Sequence, residues 1–277
     1  MRPLFDAHSV APSMMSPGDR DGPDAPTQMI QGDPPEVSVV VPACNEVENV
    51  APLVREIASA LTGRRFEILL VDDGSTDGTA EAALALRAAG LTSLRVLRHS
   101  FRAGQSAAVW TGVRHARAEW IATLDGDGQN DPADIPRLLA TRGAARLVMG
   151  QRVTRRDTAL RRLQSRVANG VRARLLGDAT PDAGCGIKVM HRQTFLELPR
   201  FDHMHRFLPA LFIRAGARVV SVPVAHRSRE RGVSKYGLFD RLWVGIVDIF
   251  GVMWLKRRFT PGLVVHEDTS GVRDARQ

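Results

Sequence analysis

The sequence predicts an α/β fold around a mostly parallel central sheet. Short aliphatic, β-branched runs alternate with segments of helical spacing, the pattern of strands joined by right-handed helical crossovers. A polar cluster follows each of the first four runs, three of them glycine-containing, so the loops at one sheet edge carry the chemistry. With 277 residues, 44% hydrophobic and 25% charged, the chain can bury a full core.

Val37–Val41 (VSVVV), ended by Pro42, reads as a strand buried on both faces. Asn49–Leu61 places Val50, Leu53, Val54, Ile57 and Leu61 at helical spacing. Phe66–Val71 (FEILLV) is a second strand, Thr79–Ala89 an alanine-rich helix and Leu94–Leu97 a third strand. Gln105–Ala116 is a helix and Trp120–Leu124 a fourth strand. A further strand near Arg146–Met149 precedes a basic helix from about Ala159 to Leu176. A glycine-rich loop (PDAGCGIKVM), a helix near Phe207–Ala215 and a strand at Arg218–Val222 complete the series.

Residues 1–36 hold seven of the 16 prolines and no apolar periodicity, which predicts a disordered leader rather than a secretory signal. Cys44 and Cys185 are far apart and lack CxxC spacing, so neither a disulfide framework nor a thiolate metal site is indicated. The formal charge of +8 is concentrated: residues 142–176 carry ten arginines against one acid, Asp157. Such a stretch suits anionic partners, phosphates or lipid head groups among them.

The loops narrow the chemistry. DGDGQND after the fourth strand is not a calcium loop of the EF-hand kind, because Asn130 and Pro136 stand where Gly and Glu are required. Asp-x-Asp at a strand end does supply the one or two carboxylates that a hard cation needs beside substrate phosphates, with Gln129 offering an amide oxygen. VDDGSTDGT puts Asp72 and Asp73 where carboxylates can accept from base N–H groups and ribose hydroxyls. There is no GxGxxG after the first strand and no GxxxxGK[ST] anywhere, which weighs against hydride transfer and P-loop phosphoryl transfer.

VSVVVPACNEVENV, ILLVDDGSTDGT, RHSFRAGQSAAVWTG, ATLDGDGQNDP and RERGVSKYG, in that order, resemble inverting glycosyltransferase family 2. Within it they look like the dolichyl-phosphate mannosyltransferase and bacterial polyprenyl-phosphate glycosyltransferase branch. The resemblance implies a Rossmann-like nucleotide-diphospho-sugar transferase (GT-A) fold over residues 37–236, and metal-dependent, inverting transfer of a sugar from a GDP- or UDP-sugar to a polyprenyl phosphate for cell-envelope glycan synthesis. It implies that Pro42, Asn45, Glu46, Asp72, Asp73, Gly104, Asp125 and Gly126 bind the nucleotide sugar, with Arg229, Ser234 and Lys235 clamping the diphosphate. The family's aromatic in the PACNE motif is replaced here by Cys44. Asp125 and Asp127 become the catalytic carboxylates and, with Gln129, the ligands of Mg²⁺ or Mn²⁺. Arg152, Arg161 and Ser165 are matched to the acceptor phosphate, although Gln151 stands where the family has serine. Asp182 and Lys188 resemble a segment near the acceptor pocket. A phosphate monoester is already an anion at neutral pH, so no dedicated general base is required.

Residues 237–259 contain apolar runs too short to span a bilayer. Trp243, Phe250, Trp254 and the closing Lys256-Arg257-Arg258 suit an amphipathic helix lying in the membrane interface, followed by a tail over 260–277. The expected location is cytoplasmic, peripheral on the inner face of the cell membrane, beside a membrane-protein partner that uses the lipid-linked sugar. An ordinary packed helix is the alternative for that segment. Two other functions stay open: a family 2 transferase with a saccharide or protein acceptor, and a non-catalytic basic module binding lipid or nucleic acid. The low aromatic content (5%) and lack of an RNA motif weigh against nucleic acid.

Overall fold

The computed structural model describes residues 33–152, 170, 173–178, 180, 182–227 and 238–258; in the final helix, side chains are described from Val247 onward. Strands β1 (Val37–Ala43), β2 (Phe66–Asp72), β3 (Leu94–Arg98) and β4 (Trp120–Thr123) alternate with helices α1 (Val47–Ala60), α2 (Thr79–Ala88) and α3 (Gln105–His115). After a 3-10 turn at Pro132–Asp134 come α4 (Ile135–Thr141), β5 (Leu147–Arg152), β6 (Lys188–His191) and α5 (Arg192–Leu196). α6 (Leu208–Arg214), β7 (Val219–Val224) and α7 (Leu238–Arg257) follow. All of these elements belong to the unit Pro34–Gln277.

The seven strands lie in the order β3-β2-β1-β4-β6-β5-β7. β6 is antiparallel to both its neighbours, β4 and β5, while the β1–β2, β1–β4, β2–β3 and β5–β7 pairs are parallel. Six strands therefore point the same way and deliver their carboxyl ends to one edge. β6 starts at that edge and runs away from it.

The side-chain period of two divides the sheet between two cores. Val37, Val39 and Val41 of β1 with Ile68 and Leu70 of β2 face α1, α2 and α4 on one side. Val40, Leu69 and Val71 face α3, α5 and α6 on the other. Every residue of β1 is buried, as expected for a central strand covered by helices on both faces. Val50, Leu53, Val54 and Ile57 make the buried stripe of α1, and Leu61 just beyond it is buried too. Phe207 and Leu211 are core residues, 3% and 0% exposed.

One expectation needs correcting. PDAGCGIKVM reads as an irregular connection, yet its last residues begin β6. A four-residue strand is too short to show a period. Inserted antiparallel, it also lacks the crossover helix that announces a parallel neighbour. Residues 1–32 of the expected leader (1–36) and the basic segment from 153 to 169 lie outside the described residues.

α7 packs through one side. Val252 is buried, Ile249 and Met253 are half-buried in the second core, and Asp248 accepts from His203 Nδ1 at 3.1 Å. Val247, Phe250 and Trp254 on the other side are 55%, 63% and 61% exposed. Among the described residues no helix is long and apolar enough to cross a membrane.

Candidate functional site

The loops after β1 and β2 are built on each other. Asn45 adopts a left-handed φ of 53°, a conformation that Asn tolerates better than most residues. Its N–H donates to Ser75 Oγ at 2.8 Å, and its Oδ1 accepts from Thr76 N at 2.8 Å. Glu46 N donates to Thr79 Oγ1 at 2.9 Å and Val47 N to Asp77 Oδ2 at 3.1 Å, so the β2 loop satisfies N–H groups at the start of α1. Asp77, which sequence reasoning missed, thus caps a helix that is not its own. Burial opposes its charge, but the hydrogen bonds from Thr79 and Val47 win and hold its carboxyl below the usual range.

Asp72 and Asp73 are 1% and 3% exposed. Asp72 Oδ1 accepts from Ser75 N at 3.2 Å, and Arg98 Nε lies 3.8 Å from Oδ2. Asp73 is more heavily committed: Oδ1 meets Ala103 N and His99 Nδ1, Oδ2 meets Gly104 N, each at 2.8 Å. Both oxygens of Asp73, one of the two acids expected at the base and ribose, accept from protein groups. Asp73 organises the frame, fixing the 99–104 loop over Gly74, where a Cβ would lie 2.7 Å from Arg102 N. Gly104 itself takes φ 93°, which suits glycine, and its carbonyl accepts from Ala108 N as α3 begins.

The loop after β4 is more open. Asp125 and Asp127 are half-buried. Asp125 Oδ1 accepts from Gln105 Nε2 at 2.7 Å, and Asp127 Oδ1 accepts from Gln129 N at 3.2 Å. Gly126 backs onto β1: a Cβ there would lie 2.8 Å from the Pro42 carbonyl oxygen. Gly186 closes the other side, where a Cβ would lie 2.2 Å from Asp125 Oδ2 and 2.5 Å from Asn130 Oδ1. Asp131 leaves the acid cluster and caps the following turn through Ala133 N at 3.0 Å. Arg227 ties this loop to the end of β7, donating to the Gln129 carbonyl (2.9 Å) and pairing with Asp131 (3.0 Å) and Glu56 (2.6 Å).

Among the described residues no three His, Cys, Asp or Glu side chains are grouped to hold a metal alone. Two carboxylates and an amide oxygen at a half-buried loop fit a small hard cation whose remaining ligands are substrate oxygens and water. Asp125 and Asp127, with Gln129 beside them, are the residues that would hold it.

Arg152 ends β5 in a bidentate pair with Asp182: Nε to Oδ2 and a terminal nitrogen to Oδ1, both 2.7 Å. Asp182 also accepts from Arg152 N at 3.2 Å. That hydrogen-bonded carboxylate, against the opposing effect of burial, holds the guanidinium above its ordinary pKa. Arg152, which the resemblance matches to the acceptor phosphate, is thus held in place by Asp182. Between this pair and the Asp125 loop sits Lys188, 5% exposed, with Nζ donating to the Cys185 carbonyl. Burial lowers its pKa, and Asp125, Cys185 and Asp182 oppose that. Burial likewise pushes the Cys185 thiol up. Arg161, Ser165, Arg229, Ser234 and Lys235 lie outside the described residues. Gln105 and Asn130 were missed because a lone amide at a loop end carries no spacing signal.

The model of the family described as Glycosyl transferase family 2 matches residues 38–198. Dodecaprenyl-phosphate galacturonate synthase of Rhizobium johnstonii is 38% identical over 229 residues, 80% of this chain and 68% of that protein. Undecaprenyl-phosphate 4-deoxy-4-formamido-L-arabinose transferase of Klebsiella pneumoniae is 37% identical over 211 residues, 75% of this chain. The chain spans 64% of that relative, just under two thirds of its length. Among solved structures, glucosyl-3-phosphoglycerate synthase of Mycobacterium tuberculosis, in complex with Mn²⁺, UDP and glucosyl-3-phosphoglycerate, superposes with TM-score 0.61. At 20% identity over 80% of each chain, that likeness speaks for the fold.

Proposed function

The chain belongs to glycosyl transferase family 2, and from that premise we propose that it moves a sugar from a nucleotide-diphosphate sugar onto a polyprenyl phosphate with inversion. One observation carries the reading. The Asp125–Asp127 loop and the Arg152–Asp182 pair stand at the same sheet edge, separated only by the start of β6. A donor diphosphate and an anionic acceptor thus have recognition groups a strand apart. Both relatives are named for a polyprenyl phosphate, which supports that acceptor class.

The nucleotide lies along the Pro42–Glu46 and Asp72–Asp77 loops, which Asn45 and Asp73 hold in shape. Asp125 and Asp127, with Gln129, are the residues that would hold Mg²⁺ or Mn²⁺ beside the diphosphate. When bound, the ion supplies neutralisation of the charge developing on the leaving group. Arg152 serves the acceptor phosphate, whose own oxygen is the nucleophile, and Arg229, Ser234 and Lys235 are the residues assigned to the donor diphosphate. The exposed Val247, Phe250 and Trp254 of α7, next to Lys256, Arg257 and Arg258, rest on the inner surface of the cell membrane. There a membrane protein takes the lipid-linked product onward.

Purified protein incubated with Mn²⁺, undecaprenyl phosphate and a panel of UDP- and GDP-sugars is expected to form a glycolipid. Folded protein that yields no product from any donor overturns the reading. Asp127→Ala is expected to lower turnover at least about 100-fold, the usual cost of losing one electrostatic stabiliser.

A further inference from the structure

The reversed strand opens with a buried lysine that the transfer reaction does not itself require. Lys188 pairs with Thr123 of β4 on one side and Met149 of β5 on the other, so it stands between the Asp125 loop and the strand ending in Arg152. Among the described residues its ammonium donates to a neutral carbonyl, that of Cys185. Asp125, Cys185, Asp182 and Arg152 act on it electrostatically, and it acts in turn on His205. Arg152 already neutralises Asp182 through two hydrogen bonds of 2.7 Å. The second buried cation is thus additional to that pair, and its charge is available to Asp125. Burying an ammonium is costly, and an apolar side chain of similar length would fill the space without that cost.

An acid pair with no compensating cation captures a divalent ion whether or not a diphosphate is present. With a fixed positive charge beneath it, the same pair needs substrate oxygens to complete the site. That charge also lies within reach of the Arg152–Asp182 pair and adds to the positive field that an incoming anion meets there.

We propose that Lys188 is a positioning residue, a fixed internal cation shared by the donor-side Asp125 and the acceptor-side Asp182. It sets the two halves of the site in opposite directions, loosening cation capture at Asp125 and tightening phosphate capture at Arg152. The donor and acceptor labels rest on the transferase reading, whereas the test needs no turnover.

Lys188→Met removes the charge and keeps the length. Mn²⁺ binding without donor, followed by electron paramagnetic resonance of the free ion, is expected to tighten at least about threefold. Binding of inorganic phosphate and of geranyl phosphate, followed by calorimetry, is expected to weaken by at least about the same factor. A merely structural lysine gives a different result: both ligands weaken together. That outcome, or shifts below about twofold in a folded variant, overturns the proposal. If Lys188→Met does not fold, Asp182→Asn decides, with Mn²⁺ expected weaker and phosphate tighter; any other pattern overturns the proposal. If the variants show these binding shifts while the wild-type chain transfers no sugar, the transferase reading alone is overturned.

Discussion

The Asp72–Asp73 loop after β2 and the Asp125–Asp127 loop after β4 flank β1 at the same sheet edge, each a short acidic run softened by glycine. In the first, Asp73 is 3% exposed and makes three contacts of 2.8 Å each, with two backbone N–H groups and the His99 ring. In the second, both acids are half-buried, and Gly126 and Gly186 keep backbone rather than side chains beside them. The difference shows how one residue type does two jobs. A carboxylate surrounded by converging N–H groups is a structural acceptor; a carboxylate backed by glycine keeps an approach for a ligand.

The largest expected effect separates the two loops outright. Asp73→Ala strands the N–H groups of Ala103 and Gly104 and is expected to cost roughly 3 kcal/mol of unfolding free energy. Asp127→Ala, the variant expected to lose turnover, should change stability by no more than about 1 kcal/mol. Urea unfolding of both variants checks this, and equal losses would erase the distinction between frame and site.

A subtler change tests whether the glycine backing matters. Gly186→Ala forces Asp125 to move, since its new Cβ would meet Oδ2 at 2.2 Å. A misplacement of that order is expected to lower kcat about 100-fold with little loss of thermal stability. Unchanged kcat would mean that the position of Asp125 is immaterial.

The smallest effect concerns the frame at low pH. His205, whose Nδ1 lies 2.7 Å from Ser106 Oγ near the start of α3, is pushed down from 6.5 to about 3, first by burial and then by Lys188. The folded state therefore binds fewer protons than the unfolded state between those values. Its contribution is intact above pH 6.5 and is lost as pH falls toward 3. The slope is about 1.4 kcal/mol per pH unit for this one group. Unfolding measured from pH 7 to 5 should show it, and His205→Gln should flatten it. An unaltered slope in that variant would assign acid sensitivity elsewhere.

Hydrophobic runs that recur along the chain locate β1 to β4 and the helices between them to within a few residues, because those elements report their period locally. The same runs put the PACNE, DDGSTDG and DGDGQND clusters at one edge, since parallel strands must all end there. Ordered motifs also made the family legible. What the residues could not disclose is which acids face inward. DDG and DGDG look alike until Ala103, Gly104 and His99, 26 to 31 residues away in sequence, close on Asp73. Nor does GIKVM announce a reversed strand, because strand direction and partner are set by contacts with β4 and β5 that no local period encodes. The burial of Lys188 follows from that insertion. Sequence by itself determined the layered α/β architecture and the edge where chemistry gathers. The tertiary structure alone decided which charges are shielded, paired or left facing the site, because burial and partnership are properties of neighbours brought together by folding.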